Sequence, residues 1–257
     1  MANQKRRSRR RSRRRGSLGP ILRAMSLVLA AVVIVAALTL FFKVDQIQVE
    51  GNVRYTDEAI IAVTEVEQGD NLILLDKFGI KQRLFREMPY VSEVRFRQKL
   101  PDTLIVEVTE TSAVAAIGGG GAPWLISANG KILEGVTAAV AADYLQIKGL
   151  EAVSPAVGET LELAEDSRMS AEELLFVLGQ LQERSMLSRT GSLDAGDPEK
   201  LILRYDERFQ VELPYLEDYS FKLDCLKAAV ASLEPNEMGR ILLTLKNDNE
   251  ARFIPEN

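Results

Sequence analysis

The chain has 257 residues, with 32 basic and 37 acidic side chains, a formal net charge of −5, one cysteine and no histidine. Without histidine there is no Ser-His-Asp or Cys-His nucleophile and no histidine metal site, and a lone cysteine excludes an internal disulfide. The charge is uneven: Lys5 to Arg23 hold ten bases before the first acid, Asp45, which leaves 22 bases against 37 acids for the remainder, a net of −15.

The basic stretch RRSRRRSRRRG, Arg6 to Gly16, precedes AMSLVLAAVVIVAALTLFF, Ala24 to Phe42, which carries no charge. About 19 residues at a rise of about 1.5 Å make a helix of roughly 28 Å, close to the roughly 30 Å hydrocarbon core of a bilayer. A signal peptide cut after Ala37 would leave the apolar LTLFFK behind, so residues 24–42 are expected to be a retained transmembrane helix. The arginines, Arg9, Arg10, Arg11, Arg13, Arg14 and Arg15 among them, then read as a topology signal. They place a basic tail, residues 1–23, in the cytoplasm and everything after Lys43 outside, with the lipid bilayer as partner. Nucleic acid is not expected, because no aromatic or Gly-rich recognition element accompanies the arginines and the acidic remainder repels phosphate.

After the span, Ile47 and Val49 alternate with polar neighbours and predict a short strand that ends at Gly51-Asn52. Thr56 caps a helix with Asp57 and Glu58 in its first turn. Asp76 caps a second, in which Ile80, Leu84 and Met88 recur until Pro89. The period then changes to two in VSEVRFRQ and TLIVEVTE, where Leu104, Val106 and Val108 share one face. Strand, helix, helix, strand, strand is the order of a POTRA domain.

The basic tail, the span, VDQIQVEGN, GDNLILLD and PYVSEVRFRQKLPDTLIVEVTE together resemble the bacterial cell-division family FtsQ, called DivIB in many Gram-positive species. The resemblance implies an α+β fold. A single N-terminal transmembrane helix leads to a POTRA domain at 43–112 and a larger, mainly antiparallel β domain with helices at 113–257, ending in an edge hairpin.

The residues beyond Thr111 are compatible with that plan. AVAAI and PWLIS flank Gly118–Gly121, which reads as a turn because no Lys-Ser or Lys-Thr follows to make a phosphate loop. Asn129-Gly130 leads into KILE, and Ser170 opens a capping box for a helix to about Met186. LILRY and FQVEL are strands, Leu216 to Leu233 keep helical spacing, Cys225 flanks that stripe, and RILLTLK with EARFIP forms a final hairpin.

No Ser-x-x-Lys spacing occurs, and the paired acids Glu172-Glu173 and Glu217-Asp218 fall at helix starts, where they stabilise the dipole. The chain is therefore expected to be a non-enzyme without cofactor, metal or small-molecule substrate. The resemblance implies a divisome scaffold in the cytoplasmic membrane at the division septum. Its extracytoplasmic part would bind FtsB/DivIC-like and FtsL-like proteins.

An outer strand with free N–H and C=O groups supplies the means, since a partner strand can add to it. By resemblance the contact positions are Leu243, Leu245, Arg252 and Phe253, assisted by the helix carrying Tyr219. A proline at Arg252 tests the edge if that N–H faces outward. Two departures from the family pattern bear on these contacts: Thr111 stands where the family has Arg, and RILLTLK lacks the acid that members often carry there. A POTRA-bearing translocation component and a membrane-tethered cell-wall hydrolase are the alternatives.

Overall fold

The structure is a computed structural model that describes residues 18–215, 218–243 and 251–256. The chain divides into two compact units, Met1–Gln46 with Glu67–Leu75 and Gln98–Leu104, and Ile47–Val66 with Asp76–Arg97 and Ile105–Asn257.

Helix α1, Leu18–Phe41, is the one regular helix of the first unit among the described residues. Among those residues no helix is long and apolar enough to cross a membrane. The described side chains along α1 run mainly from Leu22 to Ala36 and are all exposed. Beyond α1 the backbone is tied to the two loops of its unit. Leu72 N donates to Phe42 O at 2.9 Å, Val44 N to Asp70 O and Gly69 N to Val44 O at 2.8 Å, and Asp45 N to Asp102 O at 2.8 Å. Val44 and Leu72 are buried there.

Strand β1 (Gln46–Glu50) precedes helices α2 (Asp57–Thr64) and α3 (Lys77–Glu87), then β2 (Val91–Lys99) and β3 (Thr103–Glu110). The expected caps are in place: Thr56 accepts from Ala59 N at 3.3 Å and Asp76 from Gly79 N at 3.0 Å. Each satisfies one of the orphan donors at a helix start. The sheet order is β1-β3-β2, so β3 is central, and Leu104, Val106 and Val108 are all buried. Arg83 of α3 donates to Thr64 O at 2.6 Å, linking it to the end of α2.

The remaining strands are β4 (Ala113–Gly119), β5 (Ala122–Ser127), β6 (Ile132–Gly135), β7 (Leu145–Glu151), β8 (Thr190–Asp194), β9 (Lys200–Tyr205), β10 (Phe209–Pro214), β11 (Gly239–Leu242) and β12 (Arg252–Pro255). They form one sheet of order β12-β11-β10-β9-β8-β7-β4-β5-β6. Its pairings are antiparallel except β4–β7, β7–β8 and β10–β11, which are parallel. Gly120 and Gly121, at φ of 60° and 83°, turn the β4–β5 hairpin in a conformation costly for other residues.

Helices α5 (Ala171–Glu183) and α6 (Tyr219–Ala231) lie on one face. Leu174, Leu178 and Leu181 of α5 and Leu223 and Leu226 of α6 share a core with Ile117, Ile147, Leu193, Leu203, Val211 and Ile241. Ser170 caps α5 through Glu173 N at 3.1 Å, and Asp218 caps α6 through Phe221 N at 3.1 Å. The expected run of α5 to Met186 is cut short at Glu183, and Ser185 takes a left-handed φ of 57°. Short helix α4 (Ala138–Ala141) and strands β7 and β8 were not anticipated from the sequence.

On the other face, Ala116, Leu125 and Leu133 of β4–β6 form a second core with Tyr90 and Ala141. The Tyr90 hydroxyl donates to Glu134 Oε1, and the Arg54 guanidinium lies 3.8 Å from the Tyr90 ring centroid and 3.3 Å from the same carboxylate. Lys131 Nζ donates to Val91 O at 3.0 Å. The three-stranded and nine-stranded sheets are thus joined within the second unit by an aromatic and ionic seam.

A candidate partner-binding edge

Two strands end the large sheet, and they are not equivalent. Along β6, Ile132 N donates outward to Glu159 O and Ile132 O accepts from Gly158 N, both at 2.8 Å, so a loop already occupies that side. At the other end lies β12, and among the described residues no backbone group bonds to its outer side.

The ladder fixes which groups face out. On β11, Gly239 N donates to Arg208 O and Leu243 N to Glu212 O, so odd positions point to β10 and even ones to β12. The pairs Arg240–Ile254 and Leu242–Arg252 are therefore the hydrogen-bonded ones, and Glu256 N donating to Met238 O at 3.0 Å continues the series. Arg252 and Ile254 turn their N–H groups inward. Phe253 presents its N–H and C=O outward, and two residues on, Pro255 has no N–H to offer. The condition set for a proline test at Arg252, an outward N–H, is not met, because that N–H belongs to the sheet itself.

The edge is stiffened from beneath. The Phe253 ring, half-buried, meets Phe209 edge-on at 6.1 Å, and the Arg208 guanidinium covers Phe209 at 4.6 Å. Arg208 Nη1 also donates to Glu234 O at 3.0 Å and Pro235 O at 2.7 Å, which holds the loop leading into β11. Its Nη2 pairs with Asp206 at 3.0 Å, and Arg189, bonded to the same carboxylate at 2.9 Å, holds the Asp206 carboxyl below its usual range. A groove of about 530 Å³ lined by Asn236, Glu237, Met238, Pro255 and Glu256 opens at the end of β12.

The sequence-derived contact positions separate. Arg252 is exposed and Phe253 half-buried on the outermost strand. Leu243 is 1% exposed and Tyr219 2%, and both belong to the core. The Tyr219 hydroxyl is satisfied by Glu173 at 2.6 Å. The apolar surface of both side chains is buried within this chain's own core. Leu245 and the arginines Arg9, Arg10, Arg11, Arg13, Arg14 and Arg15 lie outside the described residues.

Sequence reasoning missed the support given by Arg208 and Phe209, whose only signal was an aromatic beginning FQVEL, and it missed Pro255. It also missed Glu212, buried on the helix-free face of β10 between Lys200 Nζ at 2.9 Å and Arg240 Nη1 at 3.8 Å. One oxygen of Glu212 has no hydrogen-bond donor among the described residues. Cys225 is partly buried and packs against the core.

Residues 42–111 match the family model described as POTRA domain, FtsQ-type. The chain is similar to the cell division protein DivIB of Clostridium acetobutylicum, 34% identical over 94 residues, 37% of each chain. It is also similar to two proteins named cell division protein FtsQ. That of Syntrophotalea carbinolica is 36% identical over 70 residues, 27% of this chain and 24% of the relative. That of Geotalea daltonii is 29% identical over 154 residues, 57% of this chain and 51% of the relative.

Over the POTRA region the chain is similar to FtsQ and DivIB cell division proteins. The matched segment contains the strand, helix, helix, strand, strand order read from the sequence, and it is the FtsQ-type POTRA domain of this chain. The matches span from 24% to 51% of the length of these FtsQ and DivIB relatives.

Proposed function

We propose that the chain is a non-enzymatic scaffold of the cell-division machinery. It is held in the cytoplasmic membrane by α1, with its N-terminus inside, and acts at the septum. It binds FtsB/DivIC-like and FtsL-like proteins by adding a strand to β12. The observation that carries this reading is the outward N–H and C=O of Phe253 on an edge strand that no other described strand covers, a backbone pair that an incoming strand satisfies without catalytic groups. The family relation supports the cellular setting, since the relatives are named cell division proteins.

Anchoring is supported by the uncharged run from Ala24 to Phe42 and by the helical course of α1 over 24 residues. That length corresponds to about 36 Å of helix. The described side chains of α1 from Leu22 to Ile34 are exposed, and a bilayer would cover them.

The test compares Phe253→Pro with Phe253→Ala in the full chain held in lipid nanodiscs. Both lose the ring, but only proline loses the outward N–H. Affinity for the extracytoplasmic segments of the FtsB/DivIC-like and FtsL-like proteins is measured beside thermal melting. Both variants are expected to melt below the parent and close to each other, with proline abolishing binding and alanine only weakening it. Equal binding by both variants removes the edge from the mechanism.

A further inference from the structure

The first unit joins α1 to two loops, 67–75 and 98–104, and these loops carry apolar side chains that no core absorbs. Leu74 is 73% exposed, Leu100 58% and Ile73 43%, while Leu72 beside them is fully buried. The exposure is built in locally. Asn71 Oδ1 accepts from Ile73 N at 3.0 Å and Leu74 N at 3.1 Å, a side-chain turn that holds both residues outside while Leu72 goes in.

The same loops are fastened to the residues that follow α1. Leu72 N reaches Phe42 O, one residue past the helix end, Lys43 bridges to Asn71, and Asp45 N reaches Asp102 O. Gln98 Nε2 donates to Leu72 O and so ties the second loop to the first. Leu74 lies two residues from Leu72, at most about 7 Å along the chain, and Leu100 two residues from Gln98. Lys99, next to Leu100, and Lys43, bridged to Asn71, are both exposed and can extend to lipid phosphate oxygens.

We propose that these loops form a lipid-facing foot, with Ile73, Leu74 and Leu100 seated in the headgroup–acyl boundary at the outer end of α1. The proposal rests on the reading of α1 as a membrane anchor. Continuity selects lipid as the occupant: if the helix leaves the bilayer near Phe41, groups bonded to Phe42 and Asp45 are held at its surface. Clustered apolar side chains there leave water at a depth typical of interfacial segments.

The experiment uses the full chain with Cys225→Ala, reconstituted in phosphatidylethanolamine–phosphatidylglycerol vesicles. Single cysteines at Leu74, Leu100, Val33 and Val157 each carry an environment-sensitive fluorophore. Emission at Leu74 and Leu100 should shift to the blue and lose intensity with lipids bearing a nitroxide near the headgroup. Val33 should respond to a nitroxide deep in the acyl chain, and Val157 only to aqueous iodide. If Val33 responds to lipid while Leu74 and Leu100 respond only to iodide, the foot is refuted and the anchor stands. A blue shift at Leu74 and Leu100 without lipid quenching means that protein, such as a second copy of this chain, covers them, and this too overturns the proposal. If Val33 is not quenched by lipid, anchor and foot fall together.

Discussion

The ring of Phe253 on the outermost strand stands edge-on to the ring of Phe209 two strands in, with centroids 6.1 Å apart and planes at 80°. Such pairs contribute about 0.5–1.5 kcal/mol beyond the area they bury. Phe253→Ala is expected to lower global stability by about 2 kcal/mol, below the usual cost for a fully buried phenylalanine because the ring is half-buried. Urea unfolding measures it, and hydrogen exchange should show the largest loss of protection at Arg252 and Ile254.

Val106 occupies the central strand of the three-stranded sheet and is fully buried. Val106→Asp leaves a charge there without a partner, a cost of several kcal/mol. The expected outcome is loss of that domain's thermal transition by calorimetry. A retained transition at the original temperature contradicts the burial.

Tyr90 is held above the ordinary tyrosine range by burial first and by its bond to Glu134 second. A raised pKa means that the folded state favours the protonated phenol. Its contribution is complete below about pH 10 and is lost as pH climbs toward the folded value. Tyr90→Phe should cost about 1 kcal/mol at pH 7, the net worth of one hydrogen bond, and should flatten the decline in stability above pH 10. Melting curves from pH 7 to the alkaline limit of the protein check both effects.

Asp206 and Glu207 link β9 to β10, each with φ of 56°. Left-handed backbone disfavours a side chain by about 1–2 kcal/mol, and glycine avoids most of that penalty at some entropic cost. Glu207→Gly is expected to raise the melting temperature. Asp206→Asn should lower it, because Asp206 pairs with Arg189 and Arg208. The depressed carboxyl gives stability that is present above its unfolded pKa of about 3.9 and is lost as pH falls through the folded value, so the asparagine variant should show a shallower acid limb.

The elements read well from sequence are those whose signals are local. Thr56, Asp76 and Ser170 cap helices because a short side-chain oxygen reaches a nearby N–H whatever lies beyond. Strand β3 alternates cleanly because one of its faces is buried. β7 hides its alternation, since Gly149 takes a φ of 74° and the register against β4 shifts between Ile117 and Gly118. β8, TGSLD, buries one large apolar residue, Leu193, too little to show a period. At the edge, sequence alone identified the final hairpin. It could not reveal that β11 runs parallel to β10, which decides whether Arg252 or Phe253 points out. Tyr219 and Leu243 followed the same limit: their apolar character suits a contact or a core equally, and only the packing separates the two.

Pro255 gives the open edge a defined length. Where the alternation would set the next outward donor after Phe253, the chain has a ring nitrogen without hydrogen. A strand docking here finds a full donor and acceptor pair at one residue and only an acceptor at Pro255. It must therefore register against Phe253 and cannot zip onward past Pro255. Such an edge is a poor template for endless sheet growth, and two copies of the chain gain little by pairing β12 to β12. The proposed strand addition therefore stops at Pro255, which also limits fibre formation between copies of the chain.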